Sequence, residues 1–409
     1  MTELNTALAL IGVLVISVGL LSNLIKKSLV QEPMIAVAAG IVAGPYVLGW
    51  LDLGRWGDET AILEQSARLT LAIALMGVAL RLEKASTKRL LRPVALLLTL
   101  GMLGMWLASS ALAGWLLGLA LWPALLIGAV VTPTDPVVAS SIVTGPFARN
   151  HLPVRVRDTI SLESGSNDGL AYALVLLPLL MIEHEPAEAW WRWLTETLLL
   201  GVGLAVVIGV VIGLAAAKVL RLAQSRKLIE SHSALSFTIA LSLLTLGGAA
   251  LVGADALISV FVAGLVFNLN SDVDEQHEEE RIQEAISKLF TLPMFVIFGV
   301  SLPLAEWTAY GWQLPAFALL VLFLRRPPVV MALLPAMGPE LDRDDVAYIG
   351  WFGPIGIAGI YYASLARNHL GDPAAWHIAS AVVLCSILAH GATAAPLTRL
   401  HSRLHERSA

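Results

Sequence analysis

Apolar residues occur in long runs along this chain, separated by short polar or charged stretches. A helix that crosses a bilayer needs about 20 mostly apolar residues. By that measure the pattern predicts about thirteen membrane-spanning helices. They cover roughly residues 6–24, 31–50, 62–81, 93–119, 121–144, 156–182, 194–220, 231–252, 254–270, 285–303, 310–338, 345–366 and 374–397. Arg325-Arg326-Pro327-Pro328 interrupts the eleventh, which is either one kinked helix or two short ones.

The fifth span carries a proline on each side of a Thr-Asp pair, in the order Pro133-Thr134-Asp135-Pro136. Each proline removes a backbone donor and collides with the preceding turn, so the helix should unwind here. Irregular backbone at this depth is tolerated only where it is buried in protein or lines a cavity. We expect the freed carbonyls and the hydroxyls of Thr132 and Thr134 to offer hard oxygen ligands for Na⁺, Li⁺ or K⁺.

The twelfth span has a matching weakness, since residues 350–359 contain four glycines and a proline around Gly353-Pro354-Ile355-Gly356. It lies seven spans after the fifth, and an odd offset gives the two spans opposite orientations. Paired broken helices in two halves of a chain are typical of transporter sites built on inverted repeats. Two proline-kinked helices with no special role are the alternative.

Two carboxylates, Glu163 and Asp168, lie inside the sixth span. Their offset corresponds to about 140° around a helix, so we expect them to face different sides and to do different jobs. A charge at the bilayer centre costs roughly 2.5–3.5 kcal/mol on insertion scales, so Asp168 should hold either a proton or a cation. If both compete for one carboxylate, exchange follows. A carboxylate satisfied by packing is the alternative.

Neighbouring polar residues complete the predicted Na⁺ site. Asp168 is the ligand shared by Na⁺ and H⁺, and Ser164, Asn167 and Thr134 supply neutral oxygens. Asp135 lies where half-helix ends should meet, and it can either bind the cation or compensate the helix dipoles.

Buried arginines give Glu163 a different role. Arg325 and Arg326 lie deep in the eleventh span, where a lone guanidinium would be as costly as a lone carboxylate. An ion pair between Glu163 and Arg326 would offset the cost of burying both charges. A direct role of Glu163 as a cation ligand is the alternative. Asp255, at the start of a span, is interpreted as a cap. His390 is interpreted as a hydrogen-bonded packing residue rather than a pH sensor.

Composition agrees with a membrane protein, because 57% of the 409 residues are hydrophobic and only 14% are charged. The net charge of −5 argues against a nucleic-acid partner. The single cysteine, Cys385, excludes a disulfide framework and a cysteine metal site, and no cofactor is expected. Residues 1–10 lack a basic region and a cleavage site, so we expect a retained first span. We expect one transmembrane domain over 1–398 and a short cytoplasmic tail over 399–409.

Lysine and arginine concentrate in alternate loops, which orients the chain. The rich loops hold Lys26, Lys27, Lys84, Lys88, Arg89, Arg92, Arg149, Arg155, Arg157, Lys218, Arg221, Arg226 and Lys227, whereas the opposite set holds Arg55, Arg192 and Arg367. This bias predicts an outside N-terminus and a cytoplasmic C-terminus. The acidic segment 272–284 is the exception, and it is either a solvated connecting helix or an acidic mouth that attracts cations.

The chain resembles the monovalent cation:proton antiporters of the NhaP and sodium–hydrogen exchanger type. The motifs that carry the resemblance are Thr134-Asp135-Pro136, Glu163-Ser164-Gly165-Ser166-Asn167-Asp168-Gly169, Arg326-Pro327 and Gly353-Pro354-Ile355-Gly356. Many members have an arginine where this chain has Ile355. The Gly-Pro-Ile-Gly form looks more like the fungal plasma-membrane sodium/proton antiporters and their bacterial relatives, which leaves ion preference and pH regulation open.

The resemblance implies thirteen helices divided into a dimerisation domain and a core with crossed discontinuous helices. It also implies an elevator-like mechanism, a homodimer and a prokaryotic inner membrane. The family's cation site maps onto Asp168, Ser164 and Thr134, with Asp135 and Glu163 as further candidates. A K⁺/H⁺ antiporter with the same site is the nearest alternative. A passive channel and an intramembrane aspartyl protease built on Asp135 and Asp168 are alternatives of other classes.

Overall fold

The computed structural model describes residues 2–25, 28–82, 89–226, 233–271 and 276–408, and over those residues the chain is helical with no strand. The α-helices are Thr2–Leu20, Ser22–Ile25, Glu32–Ala43, Glu59–Arg81, Leu91–Leu96, Met102–Leu117, Leu121–Val130, Pro136–Val143, Gly145–His151, Val154–Glu183, Pro186–Arg192, Leu204–Ser225, Ser233–Leu251, Ala256–Asn270, Gln276–Val300, Leu304–Trp307, Gln313–Leu320, Pro327–Leu333, Arg343–Trp351, Ile357–Leu370 and Ala374–Ser408. Wider π-type turns at Leu97–Gly101, Trp193–Gly203 and Val321–Arg325 join some of them, and 3₁₀ turns lie at Leu53–Arg55, Thr308–Tyr310 and Leu334–Ala336.

Seven of the described helices are long and apolar enough to cross a membrane, or eight when one bent pair is counted as a single span. Four more apolar helices are shorter, at 10–17 residues. The chain is therefore a multi-pass membrane protein. Each of the predicted spans contains helix, but the count of thirteen stays a prediction.

Two predicted spans differ in detail from the helices observed. The span predicted at 31–50 is helical only over Glu32–Ala43, because Pro45 holds Gly44 in an extended conformation. The segment 310–338 is continuous rather than two separate helices, since Gln313–Ala336 forms one span with a π-type turn before Pro327. Residues 272–275 and the side chains of 276–285 lie outside the described part, so the acidic segment is not described further.

Both predicted breaks are present. The first broken segment consists of helices Leu121–Val130 and Pro136–Val143 with the linker 131–135, and the second consists of Arg343–Trp351 and Ile357–Leu370 with the linker 352–356. The two linkers touch, because the Asp135 backbone N–H donates to the Pro354 carbonyl at 2.7 Å.

Burial distinguishes the centre of the protein from its perimeter. Only 17% of the first span and 22% of the span Pro186–Ser225 are buried, so these helices present leucine and valine side chains to lipid. Val154–Glu183, here called the site helix, is 61% buried and packs against both broken segments. It carries the carboxylates singled out in the sequence.

Candidate functional site

Asp135 caps two helices at once, one from each broken segment. One carboxylate oxygen accepts backbone N–H bonds from Val137 at 2.6 Å and Val138 at 3.1 Å. The other accepts from the backbone N–H of Ile357, at the start of the second half of the second broken segment. Its negative charge therefore lies at two helix N-termini, where the helix dipoles favour an anion. Of the two roles predicted for Asp135, the geometry supports dipole compensation.

Arg325 places a positive charge at the C-termini of the helices that precede the two linkers. Its guanidinium donates to the carbonyls of Val131, Thr132 and Pro133 in the first linker and to that of Gly353 in the second. The side chain is only 2% exposed. A positive charge at two helix C-termini is again the favourable sign.

This contact bears on one prediction about the ligands. The carbonyls freed by the prolines were expected to offer oxygens to a cation, and a buried guanidinium, that of Arg325, already donates to two of them. The Thr132 hydroxyl donates its hydrogen to the Gly128 carbonyl at 2.6 Å, so that only its lone pairs remain for a cation.

Two glycines in the second linker leave room for charged side chains that pack against it. A Cβ added at Gly353 would overlap the Arg326 side chain, and one added at Gly356 would overlap the Asp135 carboxylate. Neither overlap can be relieved cheaply, because both neighbours are buried and held by hydrogen bonds. The two glycines of the motif thus lie where the Arg326 and Asp135 side chains closely approach the second linker.

We expect Gly356→Ala to lower the stability by about 1–3 kcal/mol, because the new methyl group pushes Asp135 away from the helix it caps. The measurement is thermal unfolding of the purified protein in detergent. Gly350→Ala is the matched control in the same segment, since its added Cβ meets its nearest neighbour, Pro327, at an ordinary 3.5 Å. Equal stability of the two variants would show that the linkers do not constrain position 356.

Glu163 and Arg326, the predicted ion pair, are in contact across the core. Arg326 donates through both terminal nitrogens, at 2.6 Å to one Glu163 oxygen and at 2.8 Å to the other. Its Nε donates to the Ile349 carbonyl at 3.1 Å. Both side chains are almost completely buried, and bidentate geometry of this kind gives strong, oriented pairing.

Asn167 joins this pair to the first linker. Its amide nitrogen donates to the Thr134 hydroxyl at 2.7 Å and to Glu163 at 3.0 Å. Its amide oxygen accepts from the Thr134 backbone N–H at 3.1 Å. Asn167 therefore holds the site helix against the linker, and its oxygen, predicted as a neutral ligand, already accepts one hydrogen bond.

Asp168 contrasts with every other acidic group at the centre. It is 0% exposed, yet neither carboxylate oxygen has a hydrogen-bond partner among the described residues. Ser164 lies one turn earlier on the same face of the helix. Because the Ser164 hydroxyl donates its hydrogen to the Ile160 carbonyl at 2.7 Å, its lone pairs are left to face a cation. The pair Ser164 and Asp168 is the open face of the site helix, and Glu163 and Asn167 form the saturated face.

Two cavities approach this helix from opposite ends. The first reaches Asp158 and Ser161 near the helix N-terminus, and the second reaches Tyr172 and Leu176 beyond the middle. Asp168 lies between them, about 10 Å along the axis from Ser161 and about 6 Å from Tyr172. Four carboxylates and two arginines line the second cavity: Glu64, Glu183, Glu196, Asp255, Arg68 and Arg192.

Sequence reasoning missed several contacts around the linkers. Tyr362 donates its hydroxyl to the Asp168 carbonyl at 2.5 Å, and Ser386 accepts from the Ile355 backbone N–H at 2.7 Å. The only sequence signal for Arg325 was a second buried guanidinium with no assigned partner. Two interpretations are confirmed. Asp255 caps the helix Ala256–Asn270, and His390 is a hydrogen-bonded packing residue, with the Ser386 hydroxyl at its Nδ1 atom and the Trp351 carbonyl at its Nε2 atom.

Comparison with known proteins gives a consistent picture. The family described as "Sodium/hydrogen exchanger, transmembrane" matches residues 11–400. The chain is 31% identical over 379 residues to Na(+)/H(+) antiporter 2 of Zygosaccharomyces rouxii, which covers 90% of this chain and 47% of that protein. It is 27% identical over 399 residues to K(+)/H(+) antiporter NhaP2 of Shewanella sp. strain ANA-3, covering 96% and 66%. The chain spans about half the length of the first fungal relatives that it matches.

The fold is also shared with a solved structure. The sodium proton antiporter MjNhaP1 from Methanocaldococcus jannaschii superposes with a TM-score of 0.75 at 21% identity, over 97% of this chain and 98% of that one. At this identity the likeness establishes the architecture of the helices.

Proposed function

We propose that this chain, which belongs to the sodium/hydrogen exchanger family, exchanges Na⁺ or Li⁺ for H⁺ across a membrane. The observation that carries the proposal is the Asp168 carboxylate, which is fully buried and has no hydrogen-bond donor among the described residues. The Zygosaccharomyces relative, a Na(+)/H(+) antiporter, supports sodium as the cation.

Exchange follows from competition at Asp168. A buried carboxylate with no donor is costly as a bare anion, and either a proton or a hard cation removes that cost. Na⁺ would take oxygens from Asp168, Ser164 and Thr134, and its arrival displaces the proton. Because the empty anion is too costly to move through the protein, the site crosses only when loaded, so one ion must be exchanged for the other.

The surrounding charges are consistent with this role because they are already compensated. Glu163 pairs with Arg326, and Asp135 and Arg325 each face two helix ends of the matching polarity. Asp168 is then the one carboxylate of the core whose charge depends on the bound ion. Both Asp135 oxygens accept backbone N–H bonds, which argues against a protease dyad in which Asp135 and Asp168 share a proton.

We further propose that the broken segments cross as discontinuous helices and carry the site in an elevator-like movement. The two cavities on either side of Asp168 would give access from opposite sides. Residues 1–398 would form one transmembrane unit, working as a homodimer in a prokaryotic inner membrane with its C-terminus in the cytoplasm. The second cavity would then be the outer one, and its carboxylates would attract cations.

A K⁺/H⁺ antiporter is the second candidate, since the Shewanella relative is named as one. The purified chain in acid-loaded vesicles should collapse the pH gradient on addition of Na⁺ or Li⁺, and about tenfold less on addition of K⁺, a difference of about 1.4 kcal/mol in ion binding. The readout is the fluorescence of a pH-sensitive dye, with protein-free vesicles as the control. A response to K⁺ alone would overturn the sodium assignment, and cation flux without proton movement would indicate a channel.

A further inference from the structure

A second cluster of ligating side chains lies away from Asp168, where the last helix meets the start of the second broken segment. The last helix, Ala374–Ser408, continues through the region predicted as a tail and carries His401 and His405. Four residues apart, they lie on one face of the helix, with their rings stacked at a centroid distance of 4.3 Å. They face Asp345 in the first turn of the helix Arg343–Trp351 and Asp342 at its N-cap.

The distances between these groups are those of ligands around one small metal ion. The Nε2 atom of His401 is 3.0 Å from an oxygen of Asp345, and the Nε2 atom of His405 is 3.4 Å from the same oxygen. His405 Nε2 is also 3.0 Å from an oxygen of Asp342. In tetrahedral zinc sites with bonds of about 2.0–2.1 Å, ligand atoms stand about 3.3 Å apart.

The hydrogen bonds around His405 leave the lone pair of its Nε2 atom facing the cluster. The Nδ1 atom lies 3.1 Å from the His401 carbonyl, which can only accept, so Nδ1 carries the hydrogen. In the neutral ring, the Nε2 lone pair accepts from Arg155 Nη2 at 3.3 Å and lies beside carboxylate oxygens of Asp342 and Asp345. A bound metal ion replaces the contact with Arg155 and turns the repulsion from the carboxylates into coordination.

The groups behind His405 and Asp345 are arranged as they are in metal sites, whereas His401 Nδ1 has no partner among the described residues. A ligating histidine usually donates its other ring nitrogen to a carbonyl, as His405 does, and a ligating carboxylate is usually held by a further donor. Arg155 supplies that donor, since its Nε bonds the other oxygen of Asp345 at 2.5 Å. The Asp345 side chain is fully buried, whereas Asp342 is half exposed and gives an ion a path from the surface.

We propose that His401, His405, Asp345 and Asp342 bind a divalent transition-metal ion of the zinc type. Two imidazoles and two carboxylates suit zinc rather than Mg²⁺, which prefers an all-oxygen octahedral site. The ion ties the last helix to the first half of the second broken segment, and through Arg155 to the N-terminus of the site helix.

The test uses the full chain, purified in detergent and stripped with a chelator. Titration calorimetry with ZnCl₂ should give one site per chain, and zinc at about 100 times its dissociation constant should raise Tm by about 3 °C. MgCl₂ should do neither. His405→Gln and His401→Gln should abolish both effects.

The control for adventitious binding is His369→Gln. His369 is half exposed and lies 3.8 Å from a carboxylate oxygen of Glu183, so it is also a histidine beside an acid, but outside the cluster. This variant should keep the zinc effects. Absence of zinc binding by the unmodified chain, binding that survives in His405→Gln, or stabilisation by acid alone would overturn the proposal. If His401→Gln fails to fold, zinc binding by the unmodified chain and by His405→Gln, at a partly exposed position, still tests the proposal.

Discussion

Asp168→Asn is expected to abolish cation/proton exchange, by about 100-fold or more, because removal of a buried charge partner costs about 3–5 kcal/mol and each 1.4 kcal/mol is a factor of ten. Asparagine has nearly the shape of aspartate but can neither release a proton nor balance a sodium ion. The measurement is sodium-dependent collapse of a pH gradient in vesicles, compared with the unmodified chain at equal protein density.

The thermal stability of Asp168→Asn should not fall with its activity. The Asp168 carboxylate has no hydrogen-bond donor in the part of the chain that the structure describes, so its neutral replacement should unfold at the same or a higher temperature. Asp58→Asn is the matched control, because Asp58 caps the helix Glu59–Arg81 at the surface and asparagine is an equally good cap. Exchange retained in Asp168→Asn would end the assignment, and loss of exchange in both variants would point to a general effect of the substitution.

The main features of the core follow from the sequence because the cost of burying charge leaves few solutions. Glu163 and Arg326 lie far apart in the chain, but each needs an opposite charge at the same depth in the membrane, so their pairing could be predicted. The breaks at Pro133–Pro136 and Gly353–Gly356 could be predicted because proline and closely spaced glycines mark interrupted helices.

Other features depend on contacts between distant parts of the chain, which no local sequence pattern indicates. Arg325 could satisfy its donors with a carboxylate, water or carbonyls, and the choice of linker carbonyls follows from how the two breaks meet. A short cytoplasmic tail is predicted over 399–409, and the last helix continues there to Ser408. On that helix His401 and His405 contact Asp345, a contact between distant parts of the chain.

The two linkers together form a charge arrangement that is nearly symmetric. Asp135 compensates two helix N-termini, one of which follows it directly in the chain, and Arg325, from the span Gln313–Ala336, compensates two C-termini. The helix ends at the two breaks are therefore compensated by charged groups of the protein rather than by a bound ion. Under the proposed function, Asp168 can therefore exchange its bound ion while the linkers keep their compensating charges.

Glu163→Gln is expected to lower the free energy of unfolding by about 3–5 kcal/mol, since it leaves the Arg326 guanidinium buried without a counter-charge. Glutamine keeps the shape and can still accept one hydrogen bond, so the loss reports the charge. The surface pair of Glu188 and Arg192 has a similar contact distance of 2.7 Å but is substantially exposed. Glu188→Gln should therefore cost no more than about 1 kcal/mol, measured by the same thermal unfolding.

Variants of the Glu163–Arg326 pair also distinguish a structural role of Glu163 from an ion-binding role. Replacing both members, as in Glu163→Gln with Arg326→Met, should recover part of the stability, because no unpaired charge then remains in the core. If Glu163 instead bound the cation, Glu163→Gln would change the preference among Na⁺, Li⁺ and K⁺ while the protein unfolded at its normal temperature. That outcome would move Glu163 from the saturated face of the site helix into the transport site itself, since a purely structural pair has no means of selecting among cations.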